Sequence, residues 1–121
     1  MEFKHFETNL EKENEYPKIV LDNIPEIIEQ KTGKKVKIEI LEKDEEYLKY
    51  LFKKILEEAK EVADAKDEEH LIEEIGDVSR ILDAILELKG LNWEIVEKVK
   101  REKTKEKGGF KKRILMLEKA E

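Results

Sequence analysis

DEEYLKYLFKKILEEAKEVADAKDEEHLIEEIGDVSRILDAILELK, residues 44–89, is the stretch that decides the fold. Its first half sets Leu48, Leu51, Phe52, Ile55, Leu56, Ala59, Val62 and Ala63 in the three–four rhythm of a helix with one apolar face. Asp44 stands where an N-cap belongs, so a helix is expected from there to about Ala65. The second half repeats the rhythm with Leu71, Ile72, Ile75, Val78, Leu82, Ile85 and Leu86, predicting a helix from about Asp67 to Lys89 that stops at Gly90. Only a short link at Lys66-Asp67 joins the two, which favours an antiparallel hairpin.

Outward from this hairpin the signals are shorter. Asp22-Asn23-Ile24-Pro25 offers a cap with proline near a first turn, predicting a helix over about 25–31 that ends at Gly33. Residues 35–41 (KVKIEIL) alternate Val36, Ile38 and Ile40 with charged residues, the pattern of a half-buried strand. Asn92 caps a further helix from Trp93 to about Lys105, and Gly108-Gly109 break it. Ile114 to Leu117 then form a closing strand or docked tail. Residues 1–15 are polar and without a sustained period, so they are set apart as an extension from a single domain over 16–121. The expected class is all-α with one or two minor short strands. The stripes of the hairpin are wide enough to build a four-helix-bundle core with a second subunit, giving a homodimer or homotetramer.

Composition narrows the chemistry. With no cysteine there is neither a disulfide framework nor a Cys-based zinc site, which fits a cytoplasmic setting. No segment approaches the roughly 20 apolar residues of a membrane span, so a membrane partner is not expected. Net charge is −6, and this argues against nucleic acid as the main partner. The sign is uneven, however: residues 57–77 are acidic, whereas residues 98–113 (KVKREKTKEKGGFKKR) are basic and suit a small anion.

Two pairs of acids lie within the hairpin, Glu58/Glu61 and Glu74/Asp77, each three residues apart and thus on one helix face. Antiparallel pairing brings them opposite each other, a set of oxygen donors suited to Mg²⁺, with Mn²⁺ as the alternative ion. Spacing alone is weak ground. The chain carries 31 acids, and Glu-x-x-Glu recurs at Glu26/Glu29, Glu39/Glu42, Glu94/Glu97 and Glu118/Glu121 without forming a site. Position separates the hairpin pairs from these. Stepping about 100° per residue puts Glu74 inside its apolar arc and Glu58 beside Leu51 and Val62, while Glu57 and Glu73 point more nearly to water. A carboxylate on an apolar face needs a partner; a lysine would satisfy this, but one metal serves all four acids together. Gly76, costly inside a helix by about 1 kcal/mol, is expected to permit close approach of a backbone or ligand.

Other residues weigh less. Lys105, Lys107, Lys111, Lys112 and Arg113 around Gly108-Gly109-Phe110 read either as a phosphate clamp or as a basic helix end favoured by the dipole. Trp93, just after an N-cap, is expected to pack on a neighbouring helix rather than stack on a base. His5 and His70 form no ligand spacing and are placed at the surface. Asp83 faces away from Glu74, serving structure or the site of a partner subunit.

The segments EEAKE and EEIGD, separated by twelve residues between Glu61 and Glu74, resemble the E-x-x-E…E-x-x-D signature of the MazG-like all-α nucleoside triphosphate pyrophosphohydrolases. PKIVLDNIPEIIEQ, DEEYLKYLFKKILEEAKEV, LIEEIGDVSRILDAILELKGLNWEIVEKVKREK and KGGFKKRI extend the resemblance over residues 16–117, towards the small phosphoribosyl-ATP pyrophosphohydrolase-like, house-cleaning branch. The resemblance implies Mg²⁺-dependent hydrolysis of a standard or modified nucleoside triphosphate between its α and β phosphates. It assigns the metal to Glu58, Glu61, Glu74 and Asp77, with Glu61 and Glu58 as the catalytic acids and Glu61 orienting the attacking water. Lys105, Lys107, Lys112 and Arg113 become phosphate-binding residues, Arg113 foremost because the family carries a matching GGF-x-KR. One departure stands out: relatives commonly read LVRDKIPEII, and Leu21 and Asn23 replace the Arg and Lys of that stretch. Phosphoribosyl-ATP hydrolysis and a non-catalytic helical nucleotide-binding oligomer are the alternatives.

Overall fold

The computed structural model describes residues 16–120. Its elements are α1 (Ile24–Thr32), α2 (Asp44–Ala63), α3 (Glu68–Leu88) and α4 (Trp93–Lys107). The expected amino-terminal extension lies outside the described residues.

The caps explain where the helices begin and end. Gly33 closes α1 in the left-handed region at φ 73°, and its N–H reaches Glu29 O at 2.8 Å. Asp67 caps α3 by accepting from His70 N at 2.7 Å, and Asn92 caps α4 by accepting from Ile95 N at 3.0 Å. The start of α2 differs from expectation. Lys43 holds the N-cap position and Asp44 is the first helical residue, where Asp44, Glu45 and Glu46 act on the helix dipole instead of through a side-chain cap.

α2 and α3 pack against each other as the principal helix pair. Leu51 and Ile81 are buried there, and Ile28 of α1 completes the buried apolar set among the described residues. Burying each contributes roughly 1.5–3 kcal/mol. Much of the apolar stripe remains outside this core. Phe52, Leu56, Ile72 and Ile75 are exposed, Leu56 by 74% and Ile72 by 66%. Ala59, Val62, Ile75, Val78, Ser79 and Leu82 line an open apolar depression of about 330 Å³ along the hairpin.

Among the described residues the minor strands do not form. Residues 34–43 are extended or bent without a ladder, and Ile40 is 74% exposed. Residues 113–117 also form no strand, and Ile114, Leu115, Met116 and Leu117 are all exposed. Alternation in a sequence says which face of a strand would be apolar; it does not supply a neighbour to pair with.

Candidate metal centre

The four acids singled out in the hairpin come together. Glu58 and Glu74 are the largest fully buried side chains, at 1% and 0% exposure. One carboxylate oxygen each of Glu58, Glu74 and Asp77 lies within 4.8 Å of the others. A second group within the same limit joins Glu61, Glu74 and the imidazole of His70. Glu74 belongs to both, so the groups form one continuous line of donors across the hairpin.

Helix geometry explains the arrangement. Glu61 lies in the last turn of α2 and His70 in the first turn of α3, beside the short link. Glu58 lies about one turn farther from the link along α2 and Asp77 about two turns farther along α3, where the antiparallel partners face each other. His70 and Glu74 are four residues apart on one face, with Nε2 3.2 Å from Glu74 Oε1.

Cations gather at the end away from the link. Lys54 Nζ lies 3.7 Å from Glu58 Oε1 and 3.6 Å from Glu57 Oε2, and Arg80 Nη1 lies 3.0 Å from Asp77 Oδ1. The Lys54 side chain is only 13% exposed, so its pair with Glu58 is held largely out of water. A cavity of about 60 Å³ adjoins it, lined by Pro17, Lys18, Ile19, Tyr50, Lys53, Lys54 and Glu57. This basic lining was not foreseen; the signal was Lys53-Lys54 falling one helical turn before Glu57-Glu58.

Two further expectations, for His70 and Gly76, meet the structure differently. His70 is not an idle surface residue: its side chain is 25% exposed and directed at buried Glu74. The available sign was its position four residues before an acid on the apolar face. His5 lies outside the described residues. Gly76 has no described atom within 4 Å of where a Cβ would stand, so no close approach among the described residues accounts for it. Trp93 donates its indole N–H to Asp83 Oδ1, tying α4 to α3 and giving both residues a structural role.

The basic carboxy-terminal residues stand apart from this centre. Lys105 and Lys107 occupy the last turn of α4, while Lys112 and Arg113 follow in the exposed tail. Among the described residues, no ion pair joins these four to the carboxylates. Arg113 adopts φ 57°, unusual for a residue with a side chain, in a turn where its N–H reaches Phe110 O at 3.0 Å.

No family model matches the chain, and neither the curated proteins nor the solved structures provide a match. No described helix is long and apolar enough to cross a membrane.

Proposed function

We propose that this chain is a divalent-metal-dependent pyrophosphohydrolase, cleaving a nucleoside triphosphate between its α and β phosphates. The observation that carries the reading is the convergence of Glu58, Glu61, Glu74 and Asp77 from two antiparallel helices, with Glu74 common to both donor groups. The resemblance of EEAKE and EEIGD to the MazG-like signature supports the same four residues.

The donor set fits a hard divalent ion: all four acids offer oxygen, and two are buried where rigid geometry is easiest to hold. Glu58, Glu61, Glu74 and Asp77 would hold Mg²⁺, which, when bound, supplies neutralisation of charge on the phosphates. Glu61 is half-buried at the open end of the donor line, placed to orient a water and accept its proton. Water oxygen bonds to the α phosphorus, the bond to the bridging oxygen breaks, and pyrophosphate leaves with that electron pair. Lys105 and Lys107 at the end of α4 and Lys112 and Arg113 in the exposed tail are assigned to the phosphates, which a second subunit brings near.

A second copy covering the open apolar face of α2 and α3 completes a four-helix bundle, as a dimer or tetramer. The exposed side chains of Phe52, Leu56, Ile72 and Ile75 support this assembly. Nucleotide would then lie between subunits of a cytoplasmic enzyme.

The pairs Lys54–Glu58 and Arg80–Asp77 favour a second reading, in which cations balance the acids and the oligomer binds nucleotide without turnover. Purified protein with Mg²⁺ and a panel of triphosphates, including phosphoribosyl-ATP, separates the readings. Pyrophosphate and a monophosphate in equal amounts support hydrolysis at the α–β bond. Orthophosphate release, or binding without any product, refutes it.

A further inference from the structure

The two donor groups at the hairpin differ in chemistry. The one away from the link is made only of carboxylates, Glu58, Glu74 and Asp77, and cations accompany it: Lys54 lies near Glu58 and Arg80 near Asp77. The one beside the link contains an imidazole. Glu61, His70 and Glu74 each offer one atom within 4.8 Å of the others, and among the described residues no lysine or arginine pairs with Glu61.

We infer that His70 is a metal ligand, forming with Glu61 and Glu74 a mixed nitrogen–oxygen position that favours a first-row transition ion over Mg²⁺. The inference rests on the metal reading of the hairpin acids and specifies which ion their link-side end selects.

Three observations carry it. First, the separation fits a shared ion: donors held at about 2.1 Å from one metal at octahedral or tetrahedral angles are about 3.0–3.4 Å apart, and His70 Nε2 lies 3.2 Å from Glu74 Oε1. Second, the backbone that carries the imidazole is capped. The N–H of His70 is fixed by the Asp67 cap at 2.7 Å, so the residue belongs to an ordered first turn. Third, the position is accessible. Glu61 and His70 are half-buried while Glu74 is fully buried, giving a site anchored on its inner side and open to solution on its outer side. Imidazole nitrogen adds little to Mg²⁺, which prefers oxygen and water. It binds ions of the Mn²⁺ to Zn²⁺ series with affinity rising along that series. A simple His70–Glu74 hydrogen bond has the same length, so the test must detect nitrogen on the metal.

Mn²⁺ is the probe, bound to the full chain and read by electron spin-echo envelope modulation, with affinities for Mn²⁺ and Mg²⁺ measured by calorimetry. The wild type is expected to show ¹⁴N modulation that changes to the ¹⁵N pattern on histidine-selective labelling. His70→Gln keeps hydrogen-bonding capacity but removes the imidazole; it should abolish the modulation and weaken Mn²⁺ at least about 10-fold. Its Mg²⁺ affinity should change by less than about 3-fold. Circular dichroism checks that the variant remains helical, and His5→Gln controls for the other histidine. Mn²⁺ bound through Glu74 without nitrogen modulation overturns the inference and leaves the carboxylate site standing. No Mn²⁺ or Mg²⁺ bound to the wild type overturns both.

Discussion

Glu74→Gln should stabilise the metal-free protein while removing its response to metal. The side chain is fully buried, and its oxygens lie within 4.8 Å of donor atoms of Glu58 and Asp77 in one group and of Glu61 in the other. At an effective dielectric of about 20, two like unit charges 4.8 Å apart repel by about 3.5 kcal/mol. Among the described residues Lys54, Arg80 and His70 offset part of this, so losing one of the four charges should release at most about 3 kcal/mol. Glutamine preserves side-chain shape and an acceptor for His70, which limits packing loss. For a domain of this size the gain corresponds to a melting temperature up to roughly 10 °C higher in EDTA. Adding metal at about 100 times its Kd should stabilise the wild type by about 2.7 kcal/mol, and the variant far less. Thermal denaturation of both proteins, with EDTA and with graded Mg²⁺, reads both quantities. A variant that melts lower in EDTA and responds to Mg²⁺ like the wild type would refute the reasoning, showing that the acids form a self-balanced ion network.

Other substitutions test single parts of the structure. Asp67→Ala removes the acceptor for His70 N and should cost about 1 kcal/mol in a denaturant titration. It should also weaken Mn²⁺ binding if the first turn of α3 positions His70. Leu56→Lys should split the oligomer in sedimentation, since a 74% exposed leucine costs almost nothing to replace unless a second copy covers it. An unchanged sedimentation coefficient refutes the four-helix assembly. Gly76→Ala should stabilise the isolated chain by up to about 1 kcal/mol, because nothing described crowds the added Cβ. Weaker association or nucleotide binding by this variant would show that a partner or ligand packs there.

The hairpin and its acids were legible because the physics behind them is local. A three–four apolar rhythm fixes a helix, and a short link fixes its return. Angular position then separates Glu58 and Glu74 from Glu57 and Glu73, and the structure buries the first two. What required neighbours was not legible. Val36, Ile38 and Ile40 have strand alternation but no strand beside them among the described residues, so the segment remains extended and exposed. The nearness of His70 to Glu61 and Glu74 is not legible because a lone histidine without a second histidine or cysteine lacks a ligand spacing. Its partners come from α3 and, across the link, from α2. Asp44 has the chemistry of an N-cap, yet Lys43 takes that place, a one-residue displacement of the kind common at helix ends.

Crystals of the protein grown with Mn²⁺ and measured at the manganese absorption edge test the central claim most directly. The account predicts an anomalous peak within bonding distance of carboxylate oxygens from both helices, Glu74 among them, that disappears in Glu74→Gln. Manganese bound only elsewhere on the surface, with Glu58, Glu61, Glu74 and Asp77 still held by Lys54, His70 and Arg80, would contradict it.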